Sequence, residues 1–122
     1  MLIRKLFKFE NAHIVRGCST ERCKYSIHGH SYKVTVRALG PIDAHTGWVM
    51  DLSDISLKFE PLRRLVDHTL LNNIKGLENP TTENICLWIL RAIAETLPEI
   101  SSVSVSSTDR ISVTITKKQA GL

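Results

Sequence analysis

The chain has 122 residues, of which 43% are hydrophobic and 23% charged, and it carries a formal net charge of +4. This length predicts a single domain over residues 1–122, and this composition excludes a collagen-like or fully disordered chain. No apolar run approaches the roughly 18 residues of a membrane helix, and residues 1–10 lack the apolar segment of a signal peptide. We therefore expect a cytoplasmic protein without a membrane partner.

The net charge indicates the class of binding partner, and the number of cysteines indicates whether disulfides are expected. A net positive charge favours anionic partners such as phosphorylated small molecules. The basic residues are scattered and the aromatic residues do not alternate with runs of Lys or Arg, so no nucleic-acid partner is predicted. An odd number of cysteines without a secretion signal argues against a disulfide framework.

Alternating patterns predict two pairs of β-strands. Residues 3–13 are rich in β-formers, and apolar residues alternate with polar ones over 32–38, where Gly40-Pro41 then ends the strand. Near the carboxyl end, Val and Ile alternate with Ser and Thr over 103–115. The polar break at 108–110 makes that segment a predicted hairpin.

Two amphipathic helices are predicted between these pairs. Apolar residues recur at helical spacing over 53–66, where Pro61 should bend the helix, and over 82–97, where a Thr supplies the N-cap. The element order is therefore ββααββ. This order predicts an α+β fold, a four-stranded antiparallel sheet with both helices packed on one face.

Three histidines lie where the first two strands would meet. His28 and His30 open the second strand on either side of Gly29, and the strand period of two points both imidazoles to one face. His13 ends the first strand, so pairing of the two strands would bring the three rings together. Three histidines with an open fourth position are typical of catalytic Zn²⁺ sites, in which the metal polarises an oxygen or acidifies a hydroxyl.

Two other interpretations of these histidines stay open from the residues alone. One histidine could pack within a strand while the others face water. A structural zinc finger made of Cys18, Cys23, His28 and His30 is the second alternative. It fits poorly, because a single residue separates the two histidines, whereas zinc fingers have about three to five there.

Cys23 is a candidate base or nucleophile. It lies before His28 between Arg22 and Lys24, whose charges favour the reactive thiolate. Cys18 could compete for that role, and an incidental loop thiol is the alternative.

The adjacent residues Asp67 and His68 are candidates for proton transfer. A neighbouring carboxylate can fix the tautomer of a histidine and raise its basicity. Adjacent side chains need not face each other, however, so a surface pair at the end of a helix is the alternative.

Five sequence blocks, in this order, resemble the 6-pyruvoyltetrahydropterin synthase and 6-carboxytetrahydropterin synthase family. The blocks are Phe9 to His13, Cys23 with His28 to Tyr32, Asp43 to Asp51, Asp67-His68 with Leu71-Asn72, and Leu77 to Glu83. The resemblance implies the tunnelling fold, in which trimers close their sheets into a barrel and two trimers stack into a homohexamer. Barrel closure also removes exposed sheet edges.

The resemblance also implies roles for individual residues. The zinc ligands match His13, His28 and His30, the catalytic cysteine matches Cys23, and the proton-relay pair matches Asp67 and His68. In the last block, Thr82 and Glu83 are candidate substrate-binding residues.

The implied substrate is 7,8-dihydroneopterin triphosphate. The short chain and the HTGW and LENPT blocks resemble the branch that forms 6-carboxytetrahydropterin for queuosine synthesis. The alternatives are a 6-pyruvoyltetrahydropterin synthase, a zinc-retaining paralogue with another heterocyclic ligand, and a non-catalytic oligomeric binding protein.

Two positions depart from the family pattern. Four residues separate Cys23 from His28, a gap that matches neither branch of the family. The glutamate with which the family binds the amino-pyrimidine edge of the pterin aligns with Ser107, and a serine cannot supply a bidentate carboxylate. Asp109, two residues on, is the candidate replacement, with a turn residue as the alternative.

Overall fold

One antiparallel sheet with strand order β1-β2-β3-β4 forms the centre of the molecule. The computed structural model describes residues 1–15, 27–108 and 110–122, with His28 described by its backbone. The strands are β1 Leu2–His13, β2 His28–Leu39, β3 Ile100–Thr108 and β4 Ile111–Thr116. With two helices between β2 and β3, the structure confirms the predicted α+β fold and the order ββααββ.

The pairing of β1 with β2 follows from their apolar alternation. Phe9 lies opposite Tyr32 and Phe7 opposite Val34, on the face that is buried. Because a strand has a period of two, the residues between them point to the other face, where Lys8 pairs with Lys33. A slip of one residue would bury these lysines, so burial fixes the register.

The first helix, α1, spans Leu52–Val66 and begins at the N-cap Asp51, whose carboxylate accepts the N–H of Ser53 at 2.9 Å. Such a cap contributes about 1 kcal/mol. The helix continues through Pro61, which lacks the N–H that would bond the carbonyl of Leu57. Leu57 is 68% exposed, so water can reach this part of the helix and satisfy that carbonyl.

The second helix, α2, spans Thr82–Ala94, and its N-cap Thr81 accepts the N–H of Asn84 at 3.1 Å. It ends three residues before the predicted Leu97. The backbone leaves the helix gradually, since the C-cap Glu95 is still in the αR conformation and the N–H of Leu97 donates to the carbonyl of Ile93 at 3.1 Å. Pro98 then disfavours helical backbone at Leu97 and prevents further extension. No helix among the described residues is long and apolar enough to cross a membrane.

The core fills the space between the sheet and the helices. Phe7 of β1 stacks on Phe59 of α1, with ring centroids 4.0 Å apart, and Phe9 stacks on Tyr32 at 5.2 Å. Each such aromatic pair contributes about 0.5–1.5 kcal/mol beyond the burial of its area. The first contact packs α1 against the middle of β1, and the second joins β1 to β2.

The segment after α1 runs back along the edge of β1. His68 has a φ of 56°, a left-handed conformation in which histidine is enriched among non-glycine residues, and its N–H donates to the carbonyl of Glu10. The N–H of Ala12 then donates to the carbonyl of Thr69 at 3.0 Å, beside a parallel bridge from Ala12 to Leu70. A short 3₁₀ helix, Leu71–Asn73, follows.

The side chain of Asn72 closes this edge. Its Oδ1 accepts the N–H of Ile14 at 2.9 Å, and its Nδ2 donates to the carbonyl of Ile14 at 2.8 Å. The amide thereby satisfies the backbone N–H and carbonyl of Ile14, as a neighbouring strand would, and it holds the end of β1 in place.

Candidate functional site

His13 and His30 share the core-facing side of the sheet. His13 lies opposite His28, and Asn11 lies opposite His30. The rings of His13 and His30 meet edge to face, with centroids 4.7 Å apart and planes at 72°. The structure therefore brings two of the three predicted ligands together and places the backbone of His28 across from His13.

A carbonyl group fixes the ring of His13. The Nδ1 atom of this buried histidine lies 3.0 Å from the carbonyl oxygen of Pro80. Because a carbonyl can only accept, Nδ1 carries the proton and the lone pair is on Nε2. Metal-binding histidines commonly donate their other ring N–H to such a carbonyl, which sets the tautomer and the ring orientation.

The hydroxyl of Tyr32 approaches the same ring. It lies 3.4 Å from Nδ1 of His13 in the buried interior. Burial raises the pKa of Tyr32 well above its usual value, so the phenol stays neutral. Tyr32 therefore adds a polar contact to the His13 ring without adding a charge.

The donor set and its spacing fit Zn²⁺. Two imidazoles bound to one zinc at about 2.0–2.1 Å have ring centroids roughly 5 Å apart, close to the 4.7 Å between His13 and His30. Among the side chains that the structure describes, no three His, Cys, Asp or Glu are grouped to hold a metal. The predicted trio includes His28, whose side chain is outside that description.

Asn11 is a polar residue on the same face that the sequence did not single out. It is 7% exposed, and neither Nδ2 nor Oδ1 has a hydrogen-bond partner within the described part of the chain. Leaving a buried polar group unsatisfied costs about 1–3 kcal/mol. A signal was present in the sequence, because Asn11 interrupts the inward-facing series Phe7, Phe9, Asn11, His13 with an amide.

The adjacent side chains of Asp67 and His68 do contact each other. Asp67 Oδ1 lies 3.1 Å from His68 Nδ1 and accepts the N–H of Glu10 at 2.9 Å, while Oδ2 lies 3.2 Å from the guanidinium of Arg63. The Glu10 amide, then His68 and Arg63, hold the pKa of Asp67 below its usual value. The carboxylate is therefore ionised and orients the His68 ring.

Glu10 faces the other nitrogen of that ring, and the sequence did not single it out either. Its Oε2 lies 3.9 Å from His68 Nε2, and its Oε1 accepts the hydroxyl of Ser31 at 3.1 Å. An imidazole between two carboxylates can pass a proton while its positive form stays stabilised. Because Glu10 and Asp67 are 57 residues apart, only the folded chain reveals this arrangement.

An open pocket of about 460 Å³ lies beside Asn11 and His68. It lies between β1 and the segment that follows α1. Its lining residues are Glu10, Asn11, Ala12, His68, Thr69 and Leu70. The pocket thus has the unsatisfied Asn11 and the His68 of the Asp67 pair among its walls.

Ser107 lines a second pocket, of about 360 Å³, near the end of β3. The other lining residues are Ser31, Lys33, Ser106 and Thr108. The described residues that line this pocket supply hydroxyl groups and one ammonium group, and none of them supplies a carboxylate. The pairing of β3 with β4 shifts register between Ser106 and Thr108, so Ser107 lies at an irregularity of the ladder.

Of the remaining candidates, Thr82 and Glu83 line neither of these two pockets, and the others are not described. Thr82 and Glu83 form the first turn of α2, where the carboxylate of Glu83 suits the positive end of the helix dipole. Cys23, Cys18 and Asp109 lie outside the described residues.

Comparison with known proteins gives consistent matches. The family model described as 6-pyruvoyl tetrahydropterin synthase matches residues 2–118. A 6-carboxy-5,6,7,8-tetrahydropterin synthase of Synechocystis sp. is 36% identical over 113 residues, which cover 88% of this chain and 86% of that protein. A dihydroneopterin monophosphate aldolase of Pyrococcus furiosus is 37% identical over 90 residues, which cover 74% of this chain and 72% of that protein.

A solved structure agrees on the fold. The 6-pyruvoyl tetrahydropterin synthase of Caenorhabditis elegans superposes with a TM-score of 0.85, covering 95% of this chain and 94% of that one. The two sequences are 20% identical, so this match shows the shared architecture.

Proposed function

The chain belongs to the 6-pyruvoyl tetrahydropterin synthase family, and from this membership we propose that it is a zinc-dependent lyase acting on a pterin. The proposed substrate is 7,8-dihydroneopterin triphosphate and the proposed product 6-carboxytetrahydropterin, as the name of the Synechocystis relative suggests. The observation that carries this proposal is the contact between the His13 and His30 rings, 4.7 Å apart, with His13 oriented by the Pro80 carbonyl.

Three histidines would hold the metal. His13, His28 and His30 are neutral-nitrogen donors on two paired strands, and bound Zn²⁺ would supply Lewis-acid chemistry to an oxygen of the substrate's side chain. The carbonyl of Pro80 keeps the His13 ring in the tautomer that ligation needs. Burial of His13 keeps competing water away from this side of the site.

His68 would hold or move a proton at Nε2. Asp67 orients the ring through Nδ1 and stabilises the imidazolium when the ring takes up a proton. Glu10, 3.9 Å from Nε2, adds a second negative charge on that side. Cys23 is the proposed thiolate partner in this proton transfer.

A second candidate function is an aldol cleavage of the same kind of substrate. The Pyrococcus relative is named a dihydroneopterin monophosphate aldolase, and Ser107 stands where a pterin-binding carboxylate was expected. Lys33 and the hydroxyls around Ser107 suit a phosphate at least as well as an amino-pyrimidine edge. A different phosphate ester or pterin pose is consistent with that pocket.

The proposed assembly is a homohexamer built from two trimers, in the cytoplasm. β1 and β4 are the two edge strands of the sheet, and each exposes large apolar side chains, Leu2 and Leu6 on β1 and Ile111 on β4. Pairing β1 of one copy with β4 of the next would cover these side chains and satisfy both edges.

The test is incubation of the zinc-loaded protein with the triphosphate and, separately, with the monophosphate, followed by mass analysis. A carboxypterin supports the first function, and a pterin whose shortened side chain keeps a hydroxyl supports the aldolase. A pyruvoyl product would place the chain in the other synthase branch. Unchanged substrate in both reactions would contradict a catalytic role and favour a binding protein.

A further inference from the structure

The Asn11 carboxamide is buried beside the candidate metal site without a partner for either of its polar atoms among the described residues. We propose that Asn11 is a ligand-binding residue whose carboxamide hydrogen-bonds neighbouring hydroxyl groups on the side chain of the substrate. This assignment rests on the proposed function, because it takes a hydroxylated pterin as the ligand.

The position of Asn11 supports this assignment. It lies directly opposite His30 and two residues before His13 on the same face of the sheet, and opposed residues of paired strands have Cβ atoms about 4.5–5.5 Å apart. Asn11 also lines the pocket that contains His68. Asn11 therefore belongs both to the face of the sheet that carries His13 and His30 and to the pocket that contains His68.

The chemistry of the carboxamide selects the ligand. Oδ1 only accepts and Nδ2 only donates, so a phosphate would satisfy Nδ2 alone and an ammonium Oδ1 alone. Two hydroxyls on adjacent carbons satisfy both atoms, since one donates and the other accepts. A lactam edge of the pterin ring offers the same pair, but His13, His30 and His68 around Asn11 are the groups proposed to act on the side chain.

The energetic signature of a ligand-binding Asn11 differs from that of a structural one. Replacing a buried amide that has no partner by an apolar residue of similar shape removes a cost and no hydrogen bond. Asn11→Leu should therefore leave the stability of the ligand-free protein unchanged or raise it, while ligand binding weakens. Opposed effects of this kind are expected where a site has retained a destabilising group for function.

The experiment compares the wild-type chain with Asn11→Leu and Asn11→Ala. Tm is measured without metal or ligand. Affinities are measured by calorimetry for 7,8-dihydroneopterin, which has a trihydroxylated side chain, and for 6-methyl-7,8-dihydropterin, which has the same ring and no hydroxyl. Asn73→Leu, at an exposed asparagine of the 3₁₀ helix, is the matched control.

We expect an unchanged or higher Tm for Asn11→Leu, about tenfold weaker binding of dihydroneopterin, as loss of one or two hydrogen bonds implies, and unchanged binding of the methyl compound. If leucine is too large for the site, Asn11→Ala provides the same comparison of Tm and of the two affinities.

Three results would overturn the assignment. A lower Tm in both variants would mean a structural asparagine, equal loss for both ligands would mean a ring contact, and unchanged affinities would mean no contact. Failure of the wild-type chain to bind either compound would instead contradict the proposed function together with this assignment.

Discussion

The two sides of the candidate site, the His13–His30 contact and the Asp67–His68 pair, place histidine in opposite environments. On one side His13 is 5% exposed and its ring donates to a backbone carbonyl; on the other His68 is 75% exposed and its ring contacts a carboxylate. Burial favours a neutral imidazole, the form that binds metals. Exposure beside carboxylates lets an imidazole take up and release protons.

This difference indicates that environment, more than residue type, assigns the roles in this protein. The variants below separate the two sides, because loss of metal and loss of proton transfer give different measurements.

Loss of a metal ligand should have the largest effect. His30→Ala removes one of three neutral-nitrogen donors, so zinc affinity should fall by more than the roughly 10–100-fold seen for outer-shell changes, and activity should be lost. Metal analysis after dialysis and product formation measure both. His45→Ala, at an exposed histidine of the 43–48 turn, is the control and should keep its zinc. Equal zinc content in the two variants would contradict a metal site on the His13–His30 face of the sheet.

Changing the exposed side should lower activity without loss of zinc. We expect His68→Gln to slow turnover by about 10²–10⁴-fold, the usual contribution of a positioned proton-transfer group, with one zinc retained per chain. Rate and metal content are measured on the same sample. Loss of zinc in this variant would show that the two sides are not separate.

Removing the Tyr32 hydroxyl tests how much its contact with the His13 ring contributes to metal binding. Tyr32→Phe keeps the stacking on Phe9 and removes the polar contact 3.4 Å from His13 Nδ1. Because the Pro80 carbonyl still fixes the tautomer, zinc affinity should fall by about tenfold or less. A competition titration with a chelator measures this, and a loss as large as that of His30→Ala would assign the orientation of His13 to Tyr32 instead.

The smallest expected effect is a pH-dependent change in stability at Asp67. Its pKa is lowered in the folded chain, so the carboxylate stabilises the fold above its unfolded pKa of about 3.9, and this contribution is lost as pH falls through the folded value. Asp67→Asn should therefore lower Tm near neutral pH and match wild type in strong acid. Asp54→Asn, at an exposed position of α1, is the control; a difference from wild type that persists in acid would contradict the assignment.

Local patterns predicted most of the architecture. The β-forming residues over 3–13, the period of two over 32–38 and 103–115 and the helical spacing over 53–66 correspond to observed elements. The carboxyl end of α2 was less accurate, since Leu97 continues the apolar spacing and is buried although the helix ends at Ala94.

The site was predicted unevenly. The contact between His13 and His30 was predictable because the two residues lie on strands whose pairing the pattern already implied, and the contact between Asp67 and His68 because they are adjacent in the chain. The roles of these residues and of His28 stay predictions. Glu10 and the carbonyl of Pro80 were missed. Glu10 is 57 residues from Asp67, and the carbonyl of Pro80 is 67 residues from His13. No local pattern carries information over such distances.

The family, the order of the elements and the face of the sheet to which His13 and His30 point could all be predicted from the sequence, because periodicity and side-chain chemistry are properties of neighbouring residues. Only the tertiary structure decided which carbonyl orients His13, which carboxylate faces His68 and which amide is buried without a partner. Those contacts arise when α1 and the segment after it pack along β1, and packing depends on residues that are distant in the chain.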